Sequence, residues 1–351
     1  MTNANLFLCC THFHFYVALA IAWDKYRKGQ KNTIVLSLTK NQIPQGLFEQ
    51  LHSIYWTKII DLTDQELYSD IEKKGVLKKL SLNLFLTHQY PSLFPRVMVI
   101  ENQILTDRIF LFNDFHYLAR YIIKKCSQTV ILMEDGNNNY APIKKSLLTY
   151  FKILIDIYPR FGRHPKISQI MVQKPDKLPE DIRSKGRLLY LNHFLNQMPT
   201  TVNQHIVSLF IDNLETVFEK NVKGSVLLLT QPYYDFGRIN LTQHIQLFNT
   251  VIKQLKAHHK TIFLKPHPSD RVDYHSLFSD ITILPATFPI EILNHTNVFT
   301  PDTVLGINTS AVFNLNRSNR NLNLLPYDDR FIQHHFDETI DLIEKKLLKV
   351  L

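Results

Sequence analysis

Apolar positions along this chain come as short solid runs, each closed by a polar turn and followed by a stretch with helical spacing. The clearest unit lies in the second half, where GSVLLLTQPYYDFG begins at Gly224 and KTIFLKPHPSD ends at Asp270. Both runs, 226–229 and 261–264, end in a proline-bearing polar turn, which is how a buried strand delivers a loop to one edge of a sheet. Between them Leu241, Ile245, Leu247, Phe248, Val251, Ile252 and Leu255 recur close to a helical period. The pattern predicts a βαβ unit whose two loops share a crevice at the carboxyl ends of parallel strands.

The same alternation runs through the rest of the chain. Strands are predicted at 6–10, 33–38, 56–62, 108–112 and 129–133, and helices at 14–28, 65–86, 116–125 and 144–157. Positions 159–179 are rich in Pro and Lys and show no period, so the boundary is placed after them, dividing the chain into domains 1–185 and 186–351. The second domain is expected to hold strands at 188–191, 226–229, 261–264, 281–284, 298–299 and 304–307. Its helices are expected at 202–218, 240–258, 288–293, 310–316 and 336–348. This order predicts an α/β fold of two Rossmann-like domains, an outline that resembles the GT-B architecture of glycosyltransferases. Periplasmic binding proteins and some epimerases share it, so architecture alone selects no activity.

Composition narrows the classes. The 351 residues carry 40 Lys+Arg against 31 Asp+Glu, a formal charge of +9 that suits an anionic partner or surface. Three cysteines, two of them adjacent (Cys9, Cys10) and one alone (Cys126), build neither a disulfide framework nor a CxxC site, and favour a reducing compartment. Nine glycines and no GxGxxG or GxxxxGK[ST] argue against a nicotinamide site or a Walker loop. The apolar stretch 5–23 has no basic residue before it and is interrupted by His12 and His14, so it reads as a buried strand and helix rather than a membrane span. No group of His, Cys, Asp and Glu has zinc spacing, and no DxD-type pair offers to hold a divalent cation.

Four clusters sit where strands should end: Glu134-Asp135-Gly136, Gln231 to Gly237 with Asp235, Lys265-Pro266-His267-Pro268, and Asn308-Thr309-Ser310. A histidine between two prolines is held rigidly and can place one N–H on a phosphate oxygen, or it can merely close a turn. Asn308-Thr309-Ser310 at a strand–helix junction can bind a phosphate or serve as a plain cap. Asp135 and Asp235 could each remove a proton from an acceptor hydroxyl, or form turns.

On these residues the chain resembles the bacterial sialyltransferases of glycosyltransferase family 52. The opening NLFLCCTHFHFYVALAIA is similar to the family's first strand and helix, EDG at 134–136 to its acidic motif, KPHP at 265–268 to its His-Pro motif, and LLLTQP at 227–232 to the strand before its base. The resemblance implies that His267, with Pro268 beside it, meets the CMP phosphate and acts as general acid. It implies that Ser310 and Thr309, next to Asn308, bind the same phosphate and that Glu291 in FPIEIL recognises the nucleoside. For the base it points to Asp235, displaced from the family position by Tyr233 and Tyr234, ahead of Asp135; Glu134 and Gly136 then belong to the substrate site. The expected activity is an inverting, metal-independent transfer of sialic acid from CMP-sialic acid to a terminal galactoside of lipooligosaccharide or capsule, with no cofactor. The expected setting is the bacterial cytoplasm, peripheral at the inner membrane, as a homodimer using helices near 144–158 and with no nucleic-acid partner. Another surface-polysaccharide transferase, for example a glucosyltransferase, and a non-catalytic sugar-nucleotide or glycan-binding protein are the alternatives.

Overall fold

A computed structural model describes residues 4–37, 54–63, 81–135, 139–140, 142–143, 146, 149, 151, 153, 157–211, 224–258, 260–295, 299–315, 318–325 and 329–351, with Asn192, His295, Ser310 and Asp329 described by backbone alone. Two compact units divide it, Met1–Ile206 and Val207–Leu351. In the first unit seven strands form one sheet: β1 (Ala4–Cys9), β2 (Lys31–Leu36), β3 (Lys58–Asp61), β4 (Arg108–Leu111), β5 (Val130–Met133), β6 (Ile167–Val172) and β7 (Gly186–Leu188). Their order is β3-β2-β1-β4-β5-β6-β7 with every pairing parallel. The inner strands are almost wholly buried, which is why NLFLC and NTIVL read as solid apolar runs.

Helix α1 (His12–Arg27) leaves β1 at once, capped by Thr11, whose side chain accepts from His14 N–H. It is buried from His14 to Asp24 and ends in Lys25 and Arg27, cations placed as the helix dipole prefers. Helix α2 (Tyr117–Lys125) buries Leu118, Ala119, Tyr121, Ile122 and Ile123 in the same core. Among the described residues no helix is long and apolar enough to cross a membrane.

The second unit repeats the scheme with β8 (Ser225–Leu229), β9 (Thr261–Lys265), β10 (Thr282–Ile283), β11 (Thr303–Gly306) and β12 (Arg320–Asn323), ordered β10-β9-β8-β11-β12 and all parallel. Helix α3 (Leu241–Ala257) connects β8 to β9 as the spacing predicts. It starts with a capping box in which Asn240 accepts from Gln243 N–H and Gln243 accepts from Asn240 N–H. The last helix, α4 (Phe336–Val350), packs on α3 and closes that core.

Some expectations differ from the structure. The aperiodic passage 159–179 contains β6, whose burial alternates imperfectly, and the expected 188–191 strand is β7, an edge strand of the first sheet. The first unit therefore runs on to residue 206, past the boundary at 185. Polar β12, RNLN, escaped notice because an edge strand need not bury an apolar run. The helices expected at 288–293 and 310–316 are short 3-10 helices, Ile290–His295 and Ser310–Asn314, and Phe299 is in no strand. Most of 65–86, 144–157 and 212–218, and with them most of the expected dimer helices, lie outside the described residues.

Candidate active site

In the second unit the loops after β8, β9 and β11 leave the carboxyl edge of the sheet where the order turns from β8 to β11, the switch point at which open α/β sheets bind ligands. His267 follows β9 between Pro266 and Pro268. Its Nδ1 accepts the Ser269 N–H at 3.1 Å, so the neutral ring carries its proton on Nε2. No described residue takes that Nε2–H. Burial, and secondly the charge of Lys265, lower the His267 pKa to about 4, so at pH 7 the ring is a neutral donor.

A buried chain of polar groups holds this loop. The His267 N–H donates to Thr230 Oγ1 at 3.0 Å, and the Thr230 hydroxyl donates to Asp270 Oδ2 at 2.5 Å. Tyr274 O–H donates to the same carboxylate oxygen at 2.8 Å, so its oxygen accepts from His244 Nε2 at 2.6 Å. Burial raises the Asp270 carboxyl, while the hydrogen bonds from Thr230 and Tyr274 pull it back down. Sequence reasoning assigned these four residues no role. The available signal was that Thr230 and Asp270 are polar residues closing two strand ends of the same βαβ unit.

His244 is fully buried and its pKa is lowered to about 4 by burial, with Asp235 opposing. An unfolded histidine near 6.5 therefore binds protons that the folded one refuses. Stability from this residue is complete above pH 6.5 and is lost as pH falls towards 4, by an amount on the order of 3 kcal/mol. Urea unfolding at pH 7 and pH 4.5 should show a smaller drop in His244→Gln than in the unsubstituted protein.

Asp235 sits in the turn after β8. Its Oδ2 accepts the Arg271 N–H at 3.1 Å and its Oδ1 faces the Arg271 guanidinium at 4.0 Å, so the carboxylate ties two loops together. Tyr233 is buried and donates to Ile307 O at 2.8 Å, fastening the same turn to the end of β11. Lys265 is buried, donates to Pro266 O and Ala286 O at 3.2 Å, and lies over the Phe288 ring at 4.6 Å. Burial brings its pKa down to about 7 against the pull of Glu291. Glu291 is itself buried and raised, and accepts from Asn314 Nδ2 at 2.6 Å.

After β11 the chain turns sharply. Asn308 has φ 46°, and Thr309 caps the short helix by accepting from Ala311 N–H. Gly306 permits this, since a Cβ there would lie 2.3 Å from a Thr309 methyl. Ser310 opens the helix by its backbone.

In the first unit the loops after β1, β4 and β5 meet at the corresponding switch point, between β1 and β4. Asp135 Oδ1 is 2.9 Å from His14 Nε2, and its side chain is 22% exposed. No described residue donates to Oδ2. The Asp135 N–H is held by Asn139 Oδ1 at 2.7 Å. His116 faces the same carboxylate, with burial favouring its neutral form. Glu134, by contrast, has both oxygens engaged, by Tyr140 O–H at 2.9 Å and Gln173 N–H at 2.7 Å, and burial raises it. Asp114 is likewise occupied, accepting the N–H groups of Phe161 and Gly162 at 2.8 Å each. Gly136 lies outside the described residues.

Solved structures with the same architecture include an α/β-galactoside α-2,3-sialyltransferase from Photobacterium phosphoreum, with a TM-score of 0.57, 14% identity, and coverage of 99% of this chain and 95% of that one. The GT-B domain of a sialyltransferase from Photobacterium damselae gives 0.53 and 13%, over 99% and 96%. A UDP-GlcNAc 2-epimerase from Neisseria meningitidis gives 0.52 and 10%, over 99% and 91%. At these identities the likeness establishes the fold, which is GT-B. An uncharacterized protein of Haemophilus influenzae (strain ATCC 51907 / DSM 11121 / KW20 / Rd) is 27% identical over 173 residues, 49% of this chain. The chain spans about half the length of that curated relative, 54%. The sequence model of Glycosyltransferase family 52 matches residues 48–323, most of the chain, and with that fold beneath it the chain belongs to glycosyltransferase family 52.

Proposed function

We propose that this glycosyltransferase is an inverting sialyltransferase that moves sialic acid from CMP-sialic acid to a galactose-terminated glycan of lipooligosaccharide or capsule. The observation that carries the reading is His267, held neutral at the ligand edge of the second sheet with its Nε2–H taken by no described residue. A nucleoside monophosphate leaving group needs charge stabilised at one phosphate, and a neutral imidazole N–H does that without a diphosphate cradle. Thr309 and Ser310 at the turn after β11 supply further donors to that phosphate, and Glu291 recognises the nucleoside. Lys265, two residues from His267, adds positive potential beneath the site.

The reaction is a single displacement. A base removes the proton of the acceptor hydroxyl, the oxygen bonds to the anomeric carbon, and the bond to the CMP phosphate breaks on the opposite face. What supports Asp135 as base over Asp235 is its setting: a buried histidine, His14, holds Oδ1 and no described residue engages Oδ2, whereas Asp235 accepts the Arg271 N–H on Oδ2 and has the Arg271 guanidinium 4.0 Å from Oδ1, a cation that weakens it as a base. No step calls for a metal ion. The first unit then binds acceptor and the second binds donor. The formal +9 favours approach to an anionic membrane surface at the cytoplasmic face, where such acceptors are built.

Calorimetric titration tests the donor class. CMP is expected to bind at least about tenfold more tightly than UDP or UMP, and His267→Ala is expected to weaken CMP. Tighter UDP binding would move the reading to a UDP-sugar transferase of surface polysaccharide.

A further inference from the structure

We propose that His14 is a positioning residue that aims the Asp135 carboxylate at the acceptor hydroxyl. The inference rests on the reading of Asp135 as base, and it concerns a residue that no motif marks.

The geometry is over-determined. His14 stands in the first turn of α1, whose start is fixed by the Thr11 cap, directly after β1. Its Nδ1 accepts the Cys10 N–H at 3.3 Å, so its single proton lies on Nε2 and is donated to Asp135 Oδ1 at 2.9 Å. The ring stacks on Phe112 from the loop after β4, with centroids 4.5 Å apart and planes 13° from parallel. Three neighbouring strand ends therefore converge on one imidazole: β1 through Cys10, β4 through Phe112 and β5 through Asp135. The His14 side chain is 2% exposed and the Asp135 side chain 22%. The order from inside to outside is imidazole, then carboxylate, then solvent.

That order decides the division of labour. His14 has no access to an acceptor, and both its nitrogens are committed, so it takes no proton without giving up the Cys10 N–H. It holds Oδ1, which leaves Oδ2, taken by no described residue, as the oxygen offered to a substrate. A carboxylate pinned by one oxygen loses the rotation about its Cβ–Cγ bond, and the attacking hydroxyl meets a base already in line.

The test compares His14→Ala, His14→Gln, Asp135→Ala and the double variant His14→Ala/Asp135→Ala, using CMP-sialic acid and lactose, with thermal midpoints recorded for each. His14→Ala should lower kcat about 10- to 100-fold with the donor KM within about twofold. His14→Gln, whose amide nitrogen has the reach of imidazole Nε2, should recover most of that loss. In the double variant His14→Ala should cost nothing beyond Asp135→Ala, because a residue acting through another has no effect once that other is gone. Additive losses, a Gln variant as poor as Ala at equal thermal midpoint, or His14→Ala with unchanged kcat would each overturn the proposal. Turnover that survives Asp135→Ala would instead remove the base reading on which it stands.

Discussion

Turnover of CMP-sialic acid by His267→Ala is expected to fall about 100- to 1,000-fold, with the donor KM affected much less. The reason is the timing of the charge. In the bound donor the phosphate shares one negative charge over its free oxygens, and a hydrogen bond from Nε2–H helps modestly. As the glycosidic bond breaks, charge gathers on the departing oxygen, and a donor fixed in a mostly buried site gains strength. Loss of one such preorganised donor has the cost quoted above in comparable sites. The ring is preorganised in two ways: Ser269 N–H selects the tautomer, and the Thr230–Asp270–Tyr274–His244 chain anchors the backbone under it. His267→Gln keeps an N–H and should retain more activity than alanine. Equal loss of kcat and donor affinity would show that His267 binds ground state and transition state alike.

Asp135→Asn should lower kcat about 100- to 10,000-fold, the range for removing a general base, while Asp235→Asn stays within about tenfold of the unsubstituted enzyme. Asparagine keeps shape and a carbonyl oxygen for His14, so the loss isolates basicity. For Asp235 the expected penalty is instead in folding, about 1 kcal/mol from the weakened acceptor for Arg271 N–H, read as a lower urea midpoint. The opposite ranking in kcat would place the base in the second unit, in the turn after LLLTQP.

The parts of the fold that were legible in the sequence are those where burial is two-sided. NLFLC, VILM, SVLLL and TIFLK are inner parallel strands, and a strand covered on both faces must be apolar throughout. β6, β7 and β12 lie at or next to sheet edges, where one face or one ladder meets solvent, so Ser168, Gln169, Arg187 and Asn321 break the runs. The domain boundary moved with β7 for the same reason. The rigid turn at His267 was legible because two prolines flank it, and Ser269 N–H does hold its ring. His14 and His244 were not, because a buried histidine is chosen by partners far away in sequence: 121 residues for His14 and Asp135, 30 for His244 and Tyr274. The sequence put Asp235 ahead of Asp135; their different partners, Arg271 for Asp235 and His14 for Asp135, are set by tertiary contacts that spacing does not carry.

The most direct measurement is CMP release by the purified protein from CMP-sialic acid, with and without lactose and with EDTA throughout, beside the same assay with UDP-glucose and UDP-galactose. Lactose-dependent release from CMP-sialic acid that persists in EDTA, with no turnover of either UDP-sugar, is the expected result. Turnover of a UDP-sugar with CMP-sialic acid left intact, or release that stops in EDTA and returns with a divalent cation, would contradict it.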